Sequence, residues 1–278
     1  VVVADLYPAL GKELLTIGVD NEQLRWLIIY GYNKSLKNYA VLDKLLLPKE
    51  FYSFDLSEYH SDKLQKLYFL SSDQLFVYQP LVKIAAKKFT KITKISSIFL
   101  KSDPQFINQG DFIADLNEDG IDDAIIGGFT ETQLLIGQTN GKMATQAIAI
   151  KPEVQLLKNS AKYTQTKIYS SDMNFDHKLD LITVAEGRLA VYYQLKNDQF
   201  SLKPQYLTIK SSISGIEWWN KKDNVGNSLD QSHLIYRKLE DLRDVDHDGL
   251  VDLIVRYTKS SGVLDRVNDY EVYLGRNN

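Results

Sequence analysis

Cysteine is absent from the 278-residue chain, which excludes disulfides, thiolate metal sites and cysteine nucleophiles. An excess of one charge is missing too. The chain sets 33 Lys and Arg against 36 Asp and Glu, a formal net charge of -3, so it carries no overall field for nucleic acid or an anionic membrane. No apolar run approaches the length of a membrane span. The first residues, VVVADLYPAL, show neither a methionine nor a signal-peptide pattern, and the chain reads as a mature or trimmed polypeptide. Catalytic signatures are also lacking: HExxH, GxSxG, a Walker loop and GxGxxG do not occur.

What is present is an ordinary globular composition, 44% hydrophobic and 25% charged, long enough to bury a large core. Against that background one stretch stands out. DVDHDGLVDLIV, from Asp244, packs four aspartates into nine positions and then turns apolar. Crowded carboxylates repel unless they are separately solvated, share protons or surround a cation.

The same frame recurs in DLNEDGIDDAII from Asp115 and DMNFDHKLDLITV from Asp172. Acidic or amide side chains fall at its first, third, fifth and ninth positions. These are Asp115, Asn117, Asp119 and Asp123; Asp172, Asn174, Asp176 and Asp180; and Asp244, Asp246, Asp248 and Asp252. After the ninth position comes an apolar run, AIIGG, LITVA or LIVRY, and after a short turn a second run, TQLLIG, RLAVYY or YEVYLG. Both read as strands.

Two weaker units fit the frame. From Asp5 it brings in Leu14, Leu15 and Ile17, followed by RWLIIYG; from Asp55 it brings in Leu64, Leu67 and Phe69, followed by QLFVYQ. In these two, Tyr7, Ala9, Ser57, Tyr59 and Lys63 cannot complete a charged oxygen cage. Packing alone is expected to hold their turns.

The acidic copies resemble FG-GAP and VCBS-type repeats, the β-propeller blades of integrin α-subunits and many bacterial exported proteins. The resemblance implies an all-β chain of four-stranded antiparallel blades, with the acidic turn joining the first two strands of each. Radial repetition of this kind hides sheet edges. Five blades would begin near residues 1, 51, 110, 165 and 233 of a single propeller domain spanning 1–278. An insertion at about 211–231 would lengthen the fourth.

Calcium takes about six to eight oxygen ligands at about 2.3 to 2.6 Å, and oxygen side chains at alternate positions of a short loop can wrap that sphere. Glycine at the sixth position, Gly120 and Gly249, permits the positive φ of a sharp turn. His177 stands there in the middle copy, at some strain. The resemblance adds backbone carbonyls from the seventh residues, Ile121, Lys178 and Leu250. EF-hands begin similarly but end at position twelve and are flanked by helices. The expectation is up to three structural Ca²⁺ sites, with solvated Asp/Asn turns as the plain alternative.

Outside the turns the signals are thinner. SSISGIEWWNKKDNVGNSLDQ, residues 211–231, places Trp218 beside Trp219, a pair that could stack on sugar or anchor a partner, or pack as an outer strand. LVKIAAKKFTKITKISSIFLK, residues 81–101, has a basic face that reads first as a solvated strand and loop. Asn33-Lys34-Ser35 matches a short glycosylation pattern. His60 and His233 stand alone.

The expectation is a non-catalytic, calcium-stabilised module, extracytoplasmic (secreted, cell-surface or periplasmic). It would bind a protein or glycan partner as a component of a larger surface or periplasmic assembly, with neither nucleic acid nor a membrane span. The alternative is the propeller of a polysaccharide lyase or hydrolase, because fold alone does not choose between them. The first unit starts at its innermost strand and the last stops after its third, so the expected ring either has an open blade or continues in a longer chain.

Overall fold

Apolar alternation broken by short polar turns produces twenty strands in five sheets among the residues described. The computed structural model describes 1–8, 11–35, 37–97, 107–127, 132–148, 167–185, 187–196, 199–209, 211–221, 223, 227–262 and 265–276. The first sheet is antiparallel in chain order: β1 (Val2–Ala4), β2 (Glu13–Val19), β3 (Arg25–Asn33) and β4 (Asn38–Leu46). The second runs β5 (Ser53–Leu56), β6 (Leu67–Leu70), β7 (Gln74–Tyr78) and β8 (Phe89–Lys94), also antiparallel. It gains a fifth strand, β9 (Asn108–Gln109), parallel to β5.

The third sheet holds β10 (Ile113–Ala114), β11 (Asp123–Gly127), β12 (Thr132–Gly137) and β13 (Met143–Ile148). The fourth holds β14 (Tyr169–Ser171), β15 (Asp180–Ala185), β16 (Arg188–Tyr192) and β17 (Gln205–Leu207). The fifth has three strands, β18 (Ile235–Arg243), β19 (Asp252–Ser260) and β20 (Arg266–Tyr273). The all-β class expected from the sequence is therefore present, with sheets built by consecutive hairpins. The parallel β9 was not foreseen. Its two residues lie alongside Ser53 and Phe54 of β5, and the N–H of Gly110 donates to the carbonyl of Phe54 beside them.

Two compact units divide the chain. One comprises Val1–Asp115, Gly120–Gly128 and Gln133–Gln146; the other comprises Leu116–Asp119, Phe129–Thr132 and Ala147–Asn278. In the first unit, the second sheet is packed on both faces. Leu67, Phe69, Phe76 and Tyr78 join Leu15, Leu27, Ile29 and Leu45 of the first sheet in one cluster. On the opposite face, Tyr68, Leu70, Leu75 and Val77 join Ile113, Ala124, Ile126 and Leu135. This double burial explains why β6 reads as an unbroken apolar run, whereas β3 alternates buried and half-buried residues. Each such Leu or Phe contributes about 1.5 to 3 kcal/mol by leaving water.

The outer face of the first sheet stays open, with Val3, Val41 and Leu46 exposed. In the second unit one cluster joins Ile182, Val184, Leu189 and Val191 of the fourth sheet to Leu239, Leu253 and Val255 of the fifth.

Polar pins accompany the apolar clusters. Asp43 on β4 accepts from Tyr78 and from Lys88, whose ammonium also donates to the Pro80 carbonyl at 3.2 Å, and the hydroxyls of Tyr7 and Tyr78 meet at 2.8 Å. Burial pushes the Tyr7 hydroxyl up to about 12 and that of Tyr78 higher still. Both phenols therefore stay neutral donors.

Candidate metal centres

The turn between the first two strands of a sheet is set by one recurrent pairing. Ala4 faces Glu13, Ala114 faces Asp123, Ser171 faces Asp180 and Arg243 faces Asp252. In each, the residue just before the first position of the frame faces the ninth. The turn length is thus common to four sheets, including the first, whose third position is Tyr7. Ala9 at its fifth lies outside the described residues.

The ninth side chain is buried in all four: Glu13, Asp123, Asp180 and Asp252 each have 0% exposure. It ties strands together. The N–H of the second turn residue donates to it from Leu6, Met173 and Val245, at 2.7, 3.0 and 2.8 Å. A second N–H, at or just past the end of the third strand of the sheet, comes from Gly137, Gln194 and Gly275 to Asp123, Asp180 and Asp252, at 2.6, 2.9 and 2.8 Å. A buried N–H without a partner costs about 1 to 3 kcal/mol, so this carboxylate holds the sheet as well as facing the turn.

Its electrostatics differ between copies. Backbone N–H groups, Gly275 first, hold the Asp252 carboxyl below the usual range, with Arg276 adding to the effect. At Asp180 burial outweighs the same two donors and pushes the carboxyl up. Burial likewise pushes Glu13 up.

The outer positions face solvent. Asp115, Asp172 and Asp244 are half-buried, and Asp119, Asn174, Asp176, Asp246 and Asp248 are exposed, while Asn117 is half-buried. In each turn the first aspartate accepts the N–H of the sixth residue, Gly120, His177 or Gly249, at 2.8, 2.9 and 2.9 Å. Those residues sit at φ +78°, +64° and +86°, so His177 takes the left-handed conformation that the frame demands. The fourth positions, Glu118, Phe175 and His247, are left-handed as well, a strain that the sequence reading missed. Two left-handed residues within three positions curl each loop sharply.

Three carboxylates converge at the fifth sheet. Asp244, Asp246 and Asp252 bring carboxylate oxygens within 4.8 Å of one another. Oxygens bound to one calcium at about 2.3 to 2.6 Å lie no farther apart than roughly 5 Å, so this donor set fits a hard cation. Asp248, at the fifth position, donates its N–H to Asp244 at 3.2 Å and accepts from the Leu250 N–H at 2.9 Å. The Asp115 and Asp172 copies carry an amide, Asn117 or Asn174, at the third position, which leaves each with three carboxylates. Ile121, Lys178 and Leu250, expected as carbonyl donors, are all half-buried at the seventh position.

The second sheet departs from the expected frame. Leu56 faces Leu67, and the N–H of Ser57 donates to the Lys66 carbonyl, so Ser57 and Lys66 occupy the places that Ala4 and Glu13 fill in the first sheet. The turn therefore starts at Glu58, three residues after Asp55. Its third, fifth and ninth positions are His60, Asp62 and Lys66.

Asp55 does something else. Its Oδ2 accepts the N–H groups of Phe112 and Ile113 at 2.7 and 2.9 Å, fastening β5 to the start of β10, and burial raises it to about 6. Lys66 reaches Asp122 at 2.8 Å, Lys63 reaches the Gly120 carbonyl at 3.3 Å, and a cavity of about 370 Å³ lies among Glu58, His60, Lys63, Lys66, Asp115 and Asp122.

The tryptophan pair divides. Trp218 and Trp219 start a short 3₁₀ turn (Trp218–Asn220) and meet edge to face at 5.4 Å. Trp218 is half-buried beneath the Arg266 guanidinium, and Trp219 is 54% exposed. Glu217 anchors the segment to Arg256 and, at 3.2 Å, to Lys238. Among the described residues no helix is long and apolar enough to cross a membrane. The sequence matches no protein-family model and no curated protein.

Proposed function

We propose that the chain is a calcium-stabilised β-propeller of the FG-GAP/VCBS type, serving outside the cytoplasm as a non-catalytic module that binds or assembles with a protein or glycan. The observation that carries this reading is the convergence of Asp244, Asp246 and Asp252 within 4.8 Å in a turn whose register is shared by four sheets. Sheets that pack face to face, apolar side against apolar side, are what adjoining blades require.

Calcium bound at the Asp244 turn would be held by Asp244, Asp246, Asp248 and Asp252, with the Leu250 carbonyl, and would cancel their mutual repulsion. Asp115, Asn117, Asp119 and Asp123, and Asp172, Asn174, Asp176 and Asp180, follow the same pattern. The ligands come from one local loop, so the ion stiffens the hairpin. Affinities of about 10⁻⁴ to 10⁻³ M suit extracellular modules, where calcium is plentiful. The exposed ring of Trp219, on a segment fixed by Glu217, is the part of the loop surface best suited to stack on a partner.

Thermal unfolding in excess EDTA and then in millimolar calcium tests the reading. The midpoint should rise with calcium, and the rise should shrink in Asp248→Ala. No rise at any calcium concentration contradicts the metal role.

A further inference from the structure

The last strand of the fifth sheet returns over the acidic turn it helps to hold. Gly275, just beyond β20, donates its N–H to Asp252 at 2.8 Å. It passes so close that a Cβ there would stand 2.9 Å from both the Leu250 Cβ and the Val251 carbonyl oxygen. That approach delivers the next side chain, Arg276, to the mouth of the turn. Its Nη1 lies 3.7 Å from Asp246 Oδ2 and 3.5 Å from Asp248 Oδ2, with 62% of the side chain exposed.

We propose that Arg276 is a tethered counter-cation of the Asp244 turn, competing with a divalent ion for Asp246 and Asp248 and so lowering the calcium affinity of that turn. The proposal rests on the calcium reading above and adds what sets the concentration at which this site fills. A guanidinium relieves the repulsion among crowded carboxylates, yet an exposed pair of this kind is weak and yields readily to a doubly charged ion. Once the ion is bound, the two like charges still stand within a Debye length of each other, and their repulsion weakens binding. The tether is specific in position, because Gly275 cannot move away without releasing Asp252.

The test is a calorimetric calcium titration of the full chain carrying Asp119→Ala and Asp176→Ala, which leaves the Asp244 turn as the reporting site. Arg276, Arg276→Gln and Arg276→Lys are compared in that background at low and high salt. Arg276→Gln should tighten calcium by about threefold to tenfold at low salt, and the gain should narrow at high salt. Arg276→Lys, which keeps the charge, should stay near the parent. Equal affinity in the Arg and Gln forms, or weaker binding in the Gln form, overturns the role of Arg276 alone. Absence of calcium binding in all three overturns the metal reading, and this proposal with it.

Discussion

The first and fifth sheets fold around turns of the same length but put them to different use. Glu13 and Asp252 occupy the same register, facing Ala4 and Arg243, and each takes the N–H of the second turn residue. Both are fully buried. The outer positions of the fifth turn are Asp244, Asp246 and Asp248, whereas the third position of the first is Tyr7, whose hydroxyl is bonded to Tyr78. The ninth carboxylate therefore serves the fold in both turns, and in the calcium reading proposed above the outer carboxylates of the fifth turn join it in facing a cation. The first turn keeps the length and register of the fifth without its outer acids, with the buried acid in place.

Removing the buried acid where the outer ones are intact should have the largest effect. Asp252→Ala strands the N–H groups of Val245 and Gly275, and should lower the unfolding midpoint by about 10 °C in EDTA and by more in calcium, where a proposed ligand is lost as well. A loss confined to calcium-containing buffer would make Asp252 a ligand only.

A carboxylate that serves the fold without any turn at all gives the next largest effect. Asp55, raised to about 6 by burial, binds a proton more tightly folded than unfolded. Stability should then fall as pH rises from about 4 to 6, by on the order of 3 kcal/mol. Denaturant midpoints across that range should show the fall in the intact chain and a flattened profile in Asp55→Asn.

Asp246→Ala is the complementary change. It should remove only the calcium-dependent part of stability at the fifth turn, about 2 kcal/mol when calcium stands at roughly twenty times the dissociation constant. The midpoint in EDTA should hardly move. The smallest effect separates the two buried acids by pH. Asp252, held low, contributes stability that is present above the ordinary Asp range and lost as pH falls through its depressed value. Glu13, pushed up, behaves oppositely, and stability drops as pH rises through its raised value. Glu13→Gln should abolish that drop and Asp252→Asn should not, in paired denaturant titrations over the acid range.

Much of this was legible in the sequence, because strands announce themselves by apolar periodicity and three acidic turns shared one frame. LITVA and LIVRY became β15 and β19, and RWLIIYG became the core of β3. Glu13 was within reach too, since counting nine from Asp5 lands on it. The absence of acids at the outer positions hides it. The second turn was misplaced by three residues for a physical reason: Asp55 is acidic and precedes a turn, but its charge is spent on the N–H groups of Phe112 and Ile113, more than fifty residues away. No local pattern reveals such a partner. The left-handed Glu118, Phe175 and His247 were hidden as well, because none is a glycine.

In the proposed reading the outer acids of the fifth turn hold a cation, and Asp252 both faces that cation and holds the sheet. The decisive experiment counts the calcium bound, by calorimetry, on the intact chain and on Asp246→Ala. The variant should bind one ion fewer and unfold at the same temperature in EDTA. An undiminished count in the variant, or no calcium bound by the intact chain, would contradict that reading.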